Sequence, residues 1–348
     1  MTLGPLMIDI EGLELSSEDE AILNHPLIGG VILFSRNFHS SEQLQRLIEE
    51  IHALRQPSLL VAVDQEGGRI QRFRDGFTAL PAPHLVGLRY DSDAKQAKRI
   101  ARHCGWIMAA ELRAIGVDFS FAPVIDLAWG MSEVIGDRAF HRDPRAVGSL
   151  GNAFMVGMRK AGMVAVAKHF PGHGAVAADS HSELPVDRRS RADIGEDLLP
   201  YERLIAAGLP AIMSGHVVYP AVDDKPATFS AHWLQRELRG RMDFKGVVFS
   251  DDLSMSAAAS VSENPGERAR MALESGCDMA VICNDRDAVH ETLDALDGYT
   301  NPVSQIRLVR MHGRPMPDAD ALRRTEQWKK SMNLVTTSFD HAQAELDA

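Results

Sequence analysis

The sequence predicts a single-domain (β/α)8 barrel of the TIM type, and three observations carry that prediction. Short apolar runs alternate with longer amphipathic stretches, the pattern of βα units around a parallel sheet. There are eight such runs in 348 residues, and ~250 residues is typical for a closed eight-strand barrel that tolerates insertions. Polar, chemistry-bearing residues cluster just after the runs, at the strand ends where barrels build their sites.

The runs are "LMIDI" (6–10), "VILF" (31–34), "LLVAV" (59–63), "FSFAP" (119–123), "VAVA" (164–167), "AIM" (211–213), "VVF" (247–249) and "MAVIC" (279–283). Helical periodicity falls between them at 40–55, 94–115, 144–161, 194–207, 230–240 and 266–275. Ser40 and Ser230 are placed to cap two of these helices, and Gly116, Gly162 and Gly208 to end others. A doubly wound open sheet is the competing architecture, but its G-x-G-x-x-G turn after the first strand is missing. The barrel is expected over residues 1–300. Residues 301–348 are expected to form a helical extension packed on it, ending in a frayed acidic tail.

Net charge is −11 and no block of five lysines and arginines occurs, so neither nucleic acid nor an anionic membrane is an expected partner. A small molecule is. The first twenty residues lack a basic region followed by an apolar core and a small-residue cleavage site. No stretch reaches the ~18 apolar residues of a membrane span. A cytoplasmic location and a monomer or weak dimer are the expectations. Cys104, Cys277 and Cys283 are odd in number and lack zinc-ribbon spacing, which suits reduced core thiols.

Seven segments follow strands: "SRN" (35–37), "DQEGGRIQR" (64–72), "VIDLAWG" (124–130), "KHFPGHG" (168–174), "SGHVVYP" (214–220), "SDDLSM" (250–255) and "CND" (283–285). Lys168 and His169 continue the fifth strand, whereas Pro171, Gly172 and Gly174 break regular structure. Adjacent strand residues face opposite sides, so one of Asp251 and Asp252 should aim at the barrel axis. Alternation alone leaves open which one.

Two readings of these loops compete with a sugar hydrolase. In a metal-dependent barrel hydrolase, His169 and His173 would serve as ligands, but Pro171 and Gly172 oppose the helix that would align them. The first strand also offers "IDIEG" where a His-x-His pair would be expected. The other competitor is a non-catalytic barrel that binds wall fragments. A glycosidase needs a nucleophile or base, an acid, and groups that grip hydroxyls. Asp251 or Asp252 can attack. His181, with an ordinary pKa of about 6.5, can donate and recover a proton, and Asp179 can orient it. Asp64, Arg72, Arg138, Lys168 and His169 come from separate loops and can converge on a sugar. Trp129 is placed either to stack on a sugar or to pack the rim, and His173 to hold the "HFPGHG" turn.

In order along the chain, "VDQEGGRIQRF", "GDRAF", "AKHFPGHG", "DSH" and "FSDDLSM" resemble the β-N-acetylhexosaminidases of glycoside hydrolase family 3, of the short single-domain bacterial type. The resemblance spans about residues 5–300. It implies a (β/α)8 barrel, retention of configuration through a covalent glycosyl-enzyme, and no metal or cofactor. It implies Asp251 as nucleophile, His181 as general acid/base with Asp179 as its dyad partner, and Asp64, Arg72, Arg138, Lys168 and His169 as ligands of the N-acetylglucosamine unit. The implied substrate is a muropeptide, N-acetylglucosamine joined β-1,4 to an (anhydro)muramic unit, handled in cell-wall recycling. Two-domain β-glucosidases of the family generally take their acid/base from a second domain, which about fifty residues beyond the barrel's expected end at 300 cannot supply. The acid must then come from the barrel's own loops.

Overall fold

The computed structural model describes residues 2–177 and 184–339. Its centre is a closed barrel of eight parallel strands: β1 (Leu6–Ile8), β2 (Ile28–Leu33), β3 (Leu60–Val63), β4 (Phe119–Ser120), β5 (Val164–Phe170), β6 (Ala211–Ser214), β7 (Val247–Asp252) and β8 (Met279–Ile282). Each strand pairs with its neighbours in sequence, and the ring closes where Leu6 of β1 lies beside Ala280 of β8. All eight apolar runs are strands, as expected for a parallel sheet covered on both faces by side chains.

The boundaries shift for local physical reasons. β2 begins three residues earlier than its apolar run because Gly29 and Gly30 are required where strands press together. A Cβ on Gly29 would stand 2.1 Å from the carbonyl oxygen of Gly4. β4 is shorter than its run because Pro123 has no N–H to give to a ladder, although a bridge between Val124 and Lys168 continues the pairing. β5 runs on through Lys168 and His169, as expected, and β7 runs on into polar sequence, so Asp251 and Asp252 are strand residues rather than residues just past the strand. Phe119, Phe121 and Phe249 meet at ring centroid distances of 5.3–5.5 Å, and the Lys168 ammonium lies 6.0 Å from the Phe121 ring.

The helices follow the predicted periodicity closely over Ser41–Ala53, Ala94–Ala114, Pro144–Lys160 and Pro265–Ser275. Ser40 accepts the N–H of Gln43 at 3.2 Å, and the Ser230 hydroxyl accepts that of Trp233 at 3.1 Å. Gly116, Gly162 and Gly208 all have positive φ, as helix-ending glycines should. The stretch predicted at 230–240 is a wide π-type helix over His232–Arg241. The helix expected at 194–207 starts at Arg191, where Ser190 caps it. Four short helices among the described residues went unpredicted: Ser17–Leu23, Pro83–Ser92, Ser256–Ala259 and Arg286–Ala295. The first is set by a capping box in which Ser16 and Asp19 exchange bonds of 3.0 Å.

Helix Glu326–Thr337 lies on Ala94–Ala114, with the Trp328 indole donating to Glu111 at 2.8 Å and Ser331 bonded to His103 at 2.8 Å. At the strand-entry end, buried Asp118 ties the extension to the barrel by accepting the N–H groups of Val61 and Gly313, both at 2.9 Å. The expected acidic tail, 340–348, lies outside the described residues. All three cysteines are buried and form no disulfide. Among the described residues no helix is long and apolar enough to cross a membrane.

Gly29→Ala should therefore be costly. The new methyl group meets backbone, which cannot rotate away, and overpacking of this kind typically costs about 1–3 kcal/mol. Urea unfolding should show a lower midpoint at unchanged slope, and an unaltered midpoint contradicts the close β1–β2 approach.

Candidate active site

At the end of β3 the chain turns back in a hairpin, Gln65–Gly67 against Ile70–Gln71. Gly67 and Gly68 make this turn at φ of 112° and 56°, a region that favours glycine. Gln65 locks the hairpin by donating to the Phe73 carbonyl at 2.8 Å and accepting the Phe73 N–H at 3.1 Å. The hairpin thus points Asp64 and Glu66 into the barrel mouth.

There they meet three cations. Lys168 Nζ is 2.6 Å from Asp64 and 2.7 Å from Glu66, while Arg138 grips both Glu66 oxygens at 2.9 Å. Arg72 lies 3.9 Å from Asp64. Burial disfavours the charges of Glu66, Arg138 and Lys168, yet mutual attraction wins. Glu66 is held well below the usual carboxylate range by Arg138 and Lys168 against its own desolvation, and Lys168 is held above its ordinary value by Asp64 and Glu66.

His169 is fixed from behind. Its Nδ1 donates to buried Asp126 at 2.7 Å, which leaves Nε2 for the cavity. Asp126 also accepts the backbone N–H of His169 at 3.2 Å and of His173 at 2.8 Å. That contact, made by the backbone of His173, holds the "HFPGHG" turn. The His173 ring is buried in the cavity wall and has no hydrogen-bond partner among the described residues. Burial and the charge of His169 hold it below the ordinary histidine value.

Asp251 and Asp252 both border the same cavity of about 200 Å³, but they are engaged differently. One Asp252 oxygen accepts Ser254 N–H at 3.0 Å, the Ser254 hydroxyl at 2.8 Å and Cys283 N–H at 3.1 Å, tying β7 to β8. Among the described residues Asp251 accepts a single bond, from the Asp252 N–H at 2.9 Å. Burial opposes its ionisation, but the charges of His169, His216 and Lys168 hold its carboxyl below the usual range. Asp252 is pushed up to about 6 by burial and by the repulsion of Asp251, although its hydrogen bonds oppose the rise.

Of the eight residues singled out in the sequence, six line this one cavity: Asp64, Arg72, Arg138, Lys168, His169 and Asp251. Asp179 and His181 lie outside the described residues. Trp129 packs the rim: its indole N–H donates to Asp197 at 3.0 Å, and the guanidinium carbons of Arg142 and Arg189 lie 3.3 and 4.5 Å from its ring centre. Sequence reasoning missed Glu66, Asp126 and His216. Charge balance signals the first, since three cations were assigned to the sugar-binding set against the single carboxylate Asp64.

A barrel mouth that sets an uncommitted carboxylate beside a ring of hydrogen-bonding cations has the chemistry of a glycoside hydrolase. The chain belongs to glycosyl hydrolase family 3: the family's N-terminal domain matches residues 6–310. It is 54% identical over 347 residues to a beta-hexosaminidase of Thioalkalivibrio sulfidiphilus, covering all of both chains. A beta-hexosaminidase of Alkalilimnicola ehrlichii is 54% identical over 349 residues, again covering both chains in full. Among solved structures, NagZ from Neisseria gonorrhoeae in complex with N-trifluoroacetyl-D-glucosamine superposes with a TM-score of 0.91 at 44% identity. That match covers 97% of this chain and 98% of the other.

Two substitutions test the electrostatics. Glu66→Gln leaves Lys168 and Arg138 short of countercharge and should lower stability by about 3–5 kcal/mol, as breaking a buried pair does. Denaturant unfolding within about 1 kcal/mol of wild type would contradict it. Asp252 carries a folded-state pKa above the unfolded value of ~3.9. Its contribution to stability is full below about pH 4 and lost as pH rises through about 6. Asp252→Asn should flatten that part of the stability curve, and an unchanged slope over that interval contradicts the assignment.

Proposed function

We propose that the protein is a retaining exo-β-N-acetylglucosaminidase that removes terminal N-acetyl-β-D-glucosamine from muropeptides in the recycling of peptidoglycan in the cytoplasm. Its class is that of the β-N-acetylhexosaminidases, in line with the full-length relatives of that name. One observation carries the mechanistic reading. Among the described residues, Asp251 is a carboxylate of the cavity wall bonded neither to a cation nor to the neighbouring loop, and it is held in its ionised form.

In this reading Asp64, Arg72, Arg138, Lys168 and His169 bind the hydroxyls of the N-acetylglucosamine ring. Asp251 attacks the anomeric carbon as protonated His181 gives its proton to the departing glycosidic oxygen, and a glycosyl-aspartate ester forms. Neutral His181 then takes a proton from water, whose oxygen attacks the same carbon and expels Asp251. Two inversions leave the β configuration unchanged. Asp179 orients the His181 ring and favours its protonated form. Each half-reaction balances in atoms and charge without a metal or cofactor. The same proposal divides the chain into a catalytic barrel over 1–300 and an extension over 301–348.

Incubation with a 2-fluoro or 5-fluoro glycosyl donor should trap the ester, and peptide mass spectrometry should find the label on Asp251. A label on Asp252, or none, overturns the nucleophile assignment. His181→Ala should lose roughly 10²–10⁴-fold in kcat with poor leaving groups, the usual worth of a general acid, and far less with activated aryl glycosides. Equal losses on both substrates would remove His181 from the proton-transfer role.

A further inference from the structure

At the end of the barrel where the strands begin, opposite the catalytic cavity, a hollow of about 180 Å³ opens between the foot of β5 and the approach to β6. Val164 and Ala165 of β5, Pro210 just before β6, and Met155 and Met163 give it an apolar lining. Gly162 and Gly208, both at positive φ, end the flanking helices, and a Cβ on Gly208 would meet nothing within 4 Å, so the opening is clear. Five residues of strand, ~16 Å at 3.3 Å per residue, separate Val164 here from His169 in the catalytic cavity.

Arg159, Arg310, Arg314 and His312 also line the hollow, and no carboxylate does. In a chain of net charge −11 this is a local reversal of sign. The nearest buried carboxylates are committed elsewhere. Asp118 accepts from Val61 and Gly313 and lies 3.8 Å from His312, while Asp278 holds Arg239 and Arg307. Arg314 engages its neighbours through its backbone, donating to the Gly162 carbonyl at 2.8 Å and accepting from Arg113 at 3.0 Å. Among the described residues none of the three guanidinium groups of the lining is in an ion pair or hydrogen bond. Cations do favour helix C-termini, and helices Pro144–Lys160 and Arg191–Ala206 both end here. Their last carbonyls are already used, however. Those of Met158 and Arg159 accept the N–H groups of Met163 and Gly162, and those of Leu204 and Ile205 accept the N–H groups of Leu209 and Gly208.

A second hollow of about 290 Å³ adjoins the first, sharing Gly208, Pro210 and Arg310 with it. Leu209, Phe244, Val247 and Met311 make its walls apolar, and its one carboxylate, Asp243, is paired with Lys245. We propose that the two hollows together form a binding site, separate from the catalytic cavity, for a small organic phosphate. Its doubly charged head is held by Arg159, Arg310 and Arg314 in the first hollow, and its apolar ring or chain lies along the second. Guanidinium forks suit phosphate because each can bond two oxygens at once. The apolar walls add a burial energy that an inorganic ion cannot gain. The inference stands apart from the glycosidase reading and needs no sugar in the catalytic cavity.

Isothermal titration of the full chain with phenyl phosphate tests it. Binding should saturate, and added salt should weaken it, as for any charge-driven contact near the surface. Phenol and inorganic phosphate each lack one half of the ligand and should bind at least about tenfold more weakly. Arg310→Gln and Arg159→Gln should each weaken phenyl phosphate about tenfold, the worth of one charged hydrogen bond. Both side chains are exposed, so the fold should survive, which circular dichroism checks. Arg72→Gln, which removes a cation from the catalytic cavity, should leave the binding unchanged. The site is overturned by an absence of saturable heat, or by phenol or inorganic phosphate binding as tightly as phenyl phosphate. It is equally overturned if Arg72→Gln weakens binding as much as Arg310→Gln, which would put the anion in the catalytic cavity.

Discussion

The site depends on the burial of Glu66 between Lys168 and Arg138. β3, the long segment after β4, and β5 deliver Glu66, Arg138 and Lys168, and none of the three charges could be desolvated alone without a large free-energy cost. The cluster therefore sets the spacing of the loops as well as the polarity of the cavity. With Asp64 and Arg72 included, the assembly carries one excess positive charge, which acts on the Asp251 carboxylate across the cavity. Sugar recognition and nucleophile ionisation share one electrostatic origin.

Asp126 has a comparable role a layer further back. A single carboxylate fixes the His169 ring and the backbone of both His169 and His173, so the end of β5 and the first turn of the following segment are held to one point. Asp252 does the same on the other side of the barrel, joining β7 to β8 while its own N–H steadies Asp251. Adjacent aspartates thus divide the work, and the strand pleat that separates their side chains makes the division possible.

The barrel was legible because parallel strands buried on both faces read as continuous apolar runs, and all eight did. The extension of β5 through Lys168 and His169 was legible too, whereas the extension of β7 through "SDD" was not, since that stretch carries no strand signal in itself and is held extended by tertiary contacts. Most of the cavity wall was legible from polar residues placed after strands, and the resemblance sharpened Asp251 over Asp252. Glu66 and Asp126 escaped because each acts through a buried partner that lies far away in sequence. Glu66 contacts a residue 72 positions on and Asp126 one 43 positions on, separations that no local pattern reveals. Short helices such as Ser17–Leu23 escaped for the opposite reason, being set by a few capping contacts rather than by periodicity.

Gly174, after β5, is pressed onto the segment after β4, since a Cβ there would stand 1.9 Å from the Leu127 carbonyl oxygen, and this packing has an evolutionary corollary. Two connecting segments whose backbones meet at this point, with no side chain on Gly174 to act as a spacer, cannot change length independently. An insertion after β4 must be matched by an adjustment after β5, or the two collide. Among homologues these two segments should therefore vary in length as a pair.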